Sequence, residues 1–173
     1  MIYDTAPTRM TSLHLLPKPA SSSASALFGW LAFCFAAAVP AAFMSTGGWY
    51  AALQKPSWNP PAWVFAPGWN ALYITMAVAA WLVWRRGGWQ FQRTALGLFL
   101  VQWLLSALWT PLFFSMHLIG FAAADILLLW LALAATVILF WRVRTEAGLL
   151  LLPYLAWVSF AAMLNFTIWR LNP

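Results

Sequence analysis

Five runs of apolar residues, each long enough to cross a bilayer or nearly so, occupy most of this 173-residue chain. They are Leu27–Met44, Trp63–Trp84, Ala95–Met116, Leu118–Trp141 and Ala147–Trp169. A transmembrane helix needs about 20 such residues at about 1.5 Å each, and the two-residue alternation of barrel strands is absent. With 64% hydrophobic and 7% charged residues, the sequence predicts an all-α integral membrane bundle of five transmembrane helices.

The remaining polar sequence lies mainly at the N-terminus. Residues 1–26 contain several prolines and a Ser-rich stretch, and we predict a disordered extension before a transmembrane domain at 27–172. The cations flank apolar runs instead of clustering on a soluble face, which argues against nucleic acid as a partner. Five crossings place seven cations on the N-terminal side, which are Arg9, Lys18, Arg85, Arg86, Arg93, Arg142 and Arg144. Only Lys55 and Arg170 fall on the other side, so the N-terminus is predicted to be inside, in a membrane left unspecified.

The chain has fourteen tryptophans, and anchoring at the membrane surface explains some of them but not others. An indole suits a membrane-water boundary, and five of them lie near arginines at the ends of runs: Trp81, Trp84, Trp89, Trp141 and Trp169. Four others lie inside apolar runs: Trp103, Trp109, Trp130 and Trp157. These interior rings need another role, such as lining a pocket for a flat apolar ligand.

The first loop, residues 45–61, is longer than the others and rich in Gly, Pro and aromatic residues. Gly47 and Gly48 permit unusual backbone angles, and the prolines stiffen the path. We predict that this loop folds over the bundle mouth as a lid and carries Trp49 and Trp58 inward. The alternative is an interfacial loop whose aromatic rings rest among lipid headgroups.

Helical spacing predicts three inward-facing stripes. They comprise Trp69, Tyr73, Ala77 and Trp81 on the second helix, Gln102, Ser106, Trp109 and Phe113 on the third, and Trp157, Ala161, Leu164 and Ile168 on the fifth. Polar groups facing lipid would be costly, so these faces are expected to enclose a flat, aromatic cavity. Plain helix-helix packing, with small residues beside large ones, remains the alternative.

Conventional catalysis and metal binding find little support in the sequence. The only acids are Asp4, Asp125 and Glu146, so no triad, carboxylate pair or metal cluster is evident. The single cysteine, Cys34, excludes an intramolecular disulfide. Asp125 lies within a membrane run, where an ionisable group is either functional or simply protonated or bonded to a neighbouring helix.

Several spaced motifs resemble one known family. They are residues 49–61 (WYAALQKPSWNPP), Trp69 to Tyr73, residues 109–114 (WTPLFF), residues 153–157 (PYLAW) and Leu164-Asn165. In register over residues 27–172, they are similar to the tryptophan-rich sensory protein/translocator protein (TspO) family, whose animal members are the peripheral-type benzodiazepine receptors.

The resemblance implies a five-helix bundle, often a homodimer, that binds porphyrins such as protoporphyrin IX under the first loop and requires no other cofactor. Many members also bind cholesterol or isoquinoline-type ligands. Trp69 and Trp157 match the tryptophans linked to porphyrin binding and light-dependent breakdown, and Ala161 matches a position that affects affinity. Two departures are Ser106 where the family usually has Asn, and Phe166, where its sterol pattern between Leu164 and Arg170 has Tyr.

From the stripes and the resemblance together, we predict a set of ligand-binding residues: Trp49, Trp58, Trp69, Tyr73, Ser106, Trp109, Trp157, Ala161 and Leu164. Lys55 or a neighbouring backbone donor is expected to meet a porphyrin propionate. The leading function is a tetrapyrrole-binding membrane sensor or regulator. The alternatives are a transporter of porphyrin or other hydrophobic ligands such as sterols, and a light-dependent porphyrin-degrading protein.

Overall fold

A computed structural model of the protein describes residues 24–42 and 47–173, and these residues contain helices and connecting turns without a β-strand. Residues 1–23, which are most of the predicted extension, and residues 43–46, which are the end of the first predicted span and the start of the first loop, lie outside the described part. The helices are α1 (Ala24–Ala36), α2 (Val39–Ala42), α3 (Gly47–Ala52), α4 (Phe65–Trp84), α5 (Gly88–Thr110), α6 (Ile119–Val143) and α7 (Thr145–Leu171). The all-helical prediction is therefore confirmed for these residues.

Four helical segments are long and apolar enough to cross a membrane: Ala62–Trp84, Gly88–Ser115, Ile119–Val143 and Thr145–Leu171. The first of these segments has 23 residues and the last has 27. At about 1.5 Å per residue, these lengths correspond to about 34 and 40 Å of helix. α1 is apolar but has only 13 residues, or about 20 Å. By length alone, four of the five predicted spans are present as long helices.

The first predicted span, 27–44, is not one continuous helix. α1 begins at Ala24, inside the predicted extension, and ends at Ala36. A turn follows, in which the Ala37 and Ala38 amides bond the carbonyls three residues back, and α2 begins at Val39. Pro40 gives the physical reason, because proline has no N–H and its ring crowds the carbonyl four residues earlier.

α5 begins at Gly88, seven residues before the predicted start at Ala95, but the backbone of Gln92 is not helical (φ −111°, ψ 25°) and kinks the helix there. Gly87, with a φ of +113°, allows a tight turn directly after α4, so that a first helical turn precedes the kink. At the other end Pro111 interrupts the helix, and a wider π-helical turn runs from Pro111 to Ser115. The remaining predicted bounds, those of α4, α6 and α7, differ by one or two residues.

The five longest helices pack side by side in the order α1, α4, α7, α6, α5, and α4 also contacts α5. Aromatic contacts join α5 to α1, where Phe33 stacks on Trp103 at 4.3 Å and Trp30 meets Phe99 edge-on at 5.8 Å. Interior positions on each helix recur at helical spacing and are almost entirely apolar. The fold therefore places the inward faces of α4, α5 and α7 around one shared interior.

Asn165 on α7 joins three helices near the mouth of the bundle. Its side-chain oxygen accepts a hydrogen bond from Trp109 Nε1 of α5 at 2.9 Å, and its side-chain nitrogen donates to the Ile119 carbonyl of α6 at 3.2 Å. Asn165 is only 1% exposed, so water does not compete for these bonds. The amide thereby sets the register of α5, α6 and α7 at this level.

We expect Asn165→Leu to lower the free energy of unfolding by about 2–4 kcal/mol, because it leaves the Trp109 indole N–H without its acceptor and removes the side-chain bond to the Ile119 carbonyl. Reversible unfolding in mixed micelles, followed by circular dichroism, measures the change. The control is Thr167→Val on the same helix, which removes only a hydroxyl bonded to the Met163 carbonyl one turn earlier. Equal stability losses in both variants would contradict a joining role for Asn165.

Candidate ligand-binding site under the first loop

Six aromatic side chains of α4 and α7 form one continuous surface, which we call the aromatic wall: Phe65, Trp69, Tyr73, Tyr154, Trp157 and Phe160. Trp69 is at its centre. It stacks on Tyr73 at 5.6 Å and meets Tyr154 and Trp157 edge-on at 6.2 and 6.3 Å. The two tryptophans singled out from the sequence are thus brought together.

Local sequence explains how the wall forms. Phe65, Trp69 and Tyr73 recur every four residues and share one face of α4. Gly68 lets α7 approach, since a Cβ at this position would lie 3.2 Å from the Trp157 ring. Phe65 and Phe160 were not predicted as site residues, although each lies about one turn from a predicted tryptophan and this spacing was the available signal.

A second aromatic group, the mouth cluster, lies where the first loop meets the end of α5. Trp49 stacks on His117 at 4.0 Å and meets Phe113 edge-on at 5.9 Å. Trp109 stacks on Phe113 at 5.1 Å. Phe113, which was predicted on the inward stripe of this helix, and Phe114 and His117, which were not assigned to the site, all follow the interruption of α5 at Pro111.

The other predicted site residues divide between these two surfaces and the core. Leu164 is buried with Phe113 and Ile168 in the cluster beside the mouth, and Ala161 packs half-buried against the main core. Ser106 and Tyr73 are both 6% exposed. Trp109 donates its indole N–H to Asn165, so its polar atom is already occupied within the protein.

The described part of the first loop contains a short helix, α3, where an irregular loop was expected. Gly48 lies within α3, and a Cβ there would meet nothing within 4 Å. Gly48 therefore adopts a helical conformation and does not use the wider range of backbone angles that glycine permits. Trp49 is half-buried as predicted, whereas Trp58 remains 44% exposed and touches Phe160 edge-on at 5.8 Å.

Lys55 and Tyr50 hold the loop to itself. The Lys55 ammonium donates to the carbonyls of Tyr50, Ala51 and Leu53 and lies 4.8 Å from the centre of the Tyr50 ring. All three ammonium donors are thereby used. The Tyr50 hydroxyl donates to Asn59 Oδ1 at 3.3 Å, and burial raises the pKa of this hydroxyl, which keeps it a donor.

The loop is fastened to the bundle by Asn172, which follows the last helix. Gln54 N–H donates to Asn172 Oδ1 at 3.0 Å, and Asn172 Nδ2 donates back to the Gln54 carbonyl at 3.0 Å. The same nitrogen also bonds the Ile168 carbonyl at 2.8 Å. One amide therefore pairs with the loop backbone as a neighbouring strand would and connects it to the end of α7.

Few charged side chains lie near these two surfaces. No group of three metal-ligating side chains occurs in the part of the chain that the structure describes. Asp125 is the one buried acid among the described residues. The site offers flat rings and a few hydrogen-bonding groups, which is the common lining of a small-molecule site.

Gly68→Ala should displace the Trp157 ring by a few tenths of an ångström, because the added methyl group meets ring atoms at 3.2 Å. We expect a shift in tryptophan emission and a roughly 3- to 10-fold weaker affinity for a planar ligand, equivalent to about 1 kcal/mol. Gly97→Ala on α5 is the matched control, since its Cβ would meet nothing within 4 Å. Identical affinities for the two variants would show that Trp157 does not form the binding surface.

Asn172→Ala should release the first loop, because it removes three side-chain hydrogen bonds. Hydrogen exchange should accelerate at the Gln54 amide, and ligand dissociation should become several-fold faster while helix content stays unchanged. Asn70→Ala on the exposed face of α4 serves as the control. If exchange at Gln54 accelerates without any change in ligand kinetics, the loop is not a lid.

Comparison with known protein sequences identifies the family of this chain. The sequence profile of the TspO/MBR family matches residues 26–170. Protein CrtK of Rhodobacter capsulatus is 42% identical over 142 residues, which cover 81% of this chain and 88% of that protein. The translocator protein of Homo sapiens is 44% identical over 126 residues, or 72% of this chain and 75% of its own length.

A third relative, the tryptophan-rich sensory protein of Cereibacter sphaeroides, is 41% identical over 143 residues, covering 83% of this chain and 89% of that protein. The match extends over all the helices that build the aromatic wall and the mouth cluster. With four helices long and apolar enough to span a bilayer, the protein is a multi-pass integral membrane protein. The chain belongs to the TspO/MBR family of membrane sensory and translocator proteins.

Proposed function

We propose that this protein is a membrane sensor or regulator that binds a tetrapyrrole, such as protoporphyrin IX, against the aromatic wall beneath the first loop. The observation that carries the proposal is the pairing of Trp69 with Trp157, whose ring centres are 6.3 Å apart with a 79° angle between planes. Both rings are half-buried, so part of each is available to a ligand.

The angle between the two rings determines how a planar ligand binds. Two rings near 80° apart cannot both lie parallel to one flat molecule, so a porphyrin that stacks on one indole meets the other at its edge. Offset stacking and edge contacts each contribute about 0.5–1.5 kcal/mol beyond the buried area. The indole N–H groups of Trp69 and Trp157 have no acceptor among the described residues, which leaves them to donate to the ligand.

The propionates of a porphyrin need polar partners near the mouth. Lys55 has the right charge, but its ammonium is bound to three loop carbonyls. Binding a propionate there exchanges a neutral carbonyl for a carboxylate, which forms the stronger, charge-assisted hydrogen bond. Such an exchange would remove hydrogen bonds that hold α3. Binding of a ligand would thereby change the conformation of the first loop.

This coupling between ligand and loop favours sensing over the two alternatives, transport and light-dependent degradation. Transport of porphyrin or a sterol predicts movement across sealed vesicles, and degradation predicts a product that requires the protein. The membrane arrangement that we propose has five crossings, with α1 and α2 together forming the first, the N-terminus inside, and two chains associating as a homodimer. The lipid bilayer then surrounds the exposed apolar faces of α5, α6 and α7.

Titration of the purified protein with protoporphyrin IX tests the proposal. Porphyrin should quench tryptophan emission, and Trp69→Phe and Trp157→Phe should each reduce the quench and weaken binding by less than about tenfold, since phenylalanine keeps a stackable face. Light-dependent loss of the porphyrin band should fall further, because phenylalanine is harder to oxidise than indole.

Trp130→Phe is the control, because Trp130 lies on the outer face and bonds Ser159 at 2.8 Å. Unchanged binding and bleaching in both wall variants, together with losses in Trp130→Phe, would place the ligand elsewhere. Saturable binding without transport in sealed proteoliposomes supports a sensor, whereas vectorial movement would replace it with a transporter.

A further inference from the structure

The middle of the bundle contains polar side chains that have no protein partner. Gln102 and Ser106 lie one turn apart on α5, Asp125 lies on α6 and Tyr154 on α7, and none is more than 6% exposed. The side-chain nitrogen and oxygen of Gln102, Ser106 Oγ, Asp125 Oδ2 and the Tyr154 hydroxyl are buried without a hydrogen bond. We call these four residues the central polar group.

The Tyr154 hydroxyl is the point around which the group assembles. Ser106 lies close to it, although neither oxygen makes a hydrogen bond of acceptable geometry. Asp125, Tyr73 of α4 and Cys34 of α1 are within electrostatic range of the same hydroxyl. The unpartnered polar side chains of this region therefore come from α5, α6 and α7.

No cation balances this region. Among the described residues, no Lys, Arg or His acts electrostatically on Asp125. The ion pair of the described chain, Arg144 with Glu146, lies at the turn between α6 and α7, at the other end of α6 from Asp125. An isolated carboxylate in a membrane interior is strongly unfavourable, whereas a neutral carboxyl group with hydrogen-bond partners is tolerated. A proton is thus the cation that the site can accommodate with least rearrangement.

Unpartnered polar atoms are rare in protein interiors because each loses its water without a replacement. Five such atoms on three adjacent helices are not explained by packing of apolar side chains. Amide, hydroxyl and carboxyl groups together offer both donors and acceptors, which is the pattern that buried water bridges with two to four hydrogen bonds.

We propose that the central polar group is a hydrated proton-binding site, in which water joins Gln102, Ser106 and Tyr154 and the bound proton resides on Asp125. Binding takes a proton from hydronium and forms the carboxylic acid and water, and release reverses this step with no other bond changed. Ser106 is also a predicted ligand-binding residue and Tyr154 also belongs to the aromatic wall, but binding of the proton does not require the proposed ligand, and the experiments below are made without it.

Stability measurements distinguish a hydrated site from a dry one. In a dry site, Tyr154→Phe and Gln102→Leu remove unsatisfied polar atoms and should raise the melting temperature. In a hydrated site they remove partners of bound water, so we expect the melting temperature to fall by several degrees. Thr136→Val is the control, because the Thr136 hydroxyl is fully buried but already bonded to the Ala132 carbonyl at 2.7 Å.

Infrared spectroscopy tests the proton directly. At neutral pH we expect a carboxylic acid C=O band that is absent from Asp125→Asn, shifts in D2O as the site exchanges, and moves in frequency in Tyr154→Phe but not in Thr136→Val. Tyr154→Phe removes only one oxygen atom and is therefore the less disruptive variant. It still allows the infrared band and the melting temperature to be measured if Gln102→Leu does not fold. A raised melting temperature in Tyr154→Phe, or the absence of any band specific to Asp125, would overturn the proposal.

Discussion

The whole structure depends on one constraint, which is that polar groups within the hydrocarbon of a bilayer must find their partners inside the protein. Long helices satisfy the backbone, and the structure meets the requirement between helices at a few defined side chains. Asn165 is the clearest example, since one buried amide bonds to both α5 and α6. Through Trp109 it also fixes the end of α5, from which the mouth cluster extends.

The same constraint explains how the first loop is attached to the bundle. Asn172 pairs with both backbone groups of Gln54, and Lys55 binds the carbonyls at the end of α3. These bonds lie at the mouth, where water can replace them at modest cost. A loop held in this way can open without unfolding the helices below it, as a lid must do.

The aromatic wall and the central polar group differ in what they offer a ligand. The wall presents large ring surfaces, and its two tryptophans are nearly perpendicular, so shape decides what it binds. The central polar group presents hydrogen-bonding atoms within an otherwise apolar core. Tyr154 belongs to both, because its ring meets Trp69 and its hydroxyl lies near Ser106. A change at one site can therefore reach the other through a single side chain.

The amino-acid sequence by itself determined the class of fold and most of its helices, because apolar runs of membrane length leave few alternatives. It also predicted that Trp69 and Tyr73 share one inward stripe, since residues four apart share a helix face. Local signals were weaker at the helix ends. Pro40 breaks the first run, and Gly87 allows a first turn of α5 before the kink at Gln92. Each effect depends on backbone geometry that hydropathy does not report.

Only the tertiary structure decided which distant residues meet. The 6.3 Å approach of Trp69 to Trp157 depends on how α4 packs on α7, and Gly68 permits that packing. The pairing of Asn172 with Gln54 joins residues 118 positions apart. Periodicity specifies the face of one helix but not its partner, because many apolar faces pack with similar energy. The few buried polar bonds and close approaches that select one arrangement become visible only when the helices are assembled.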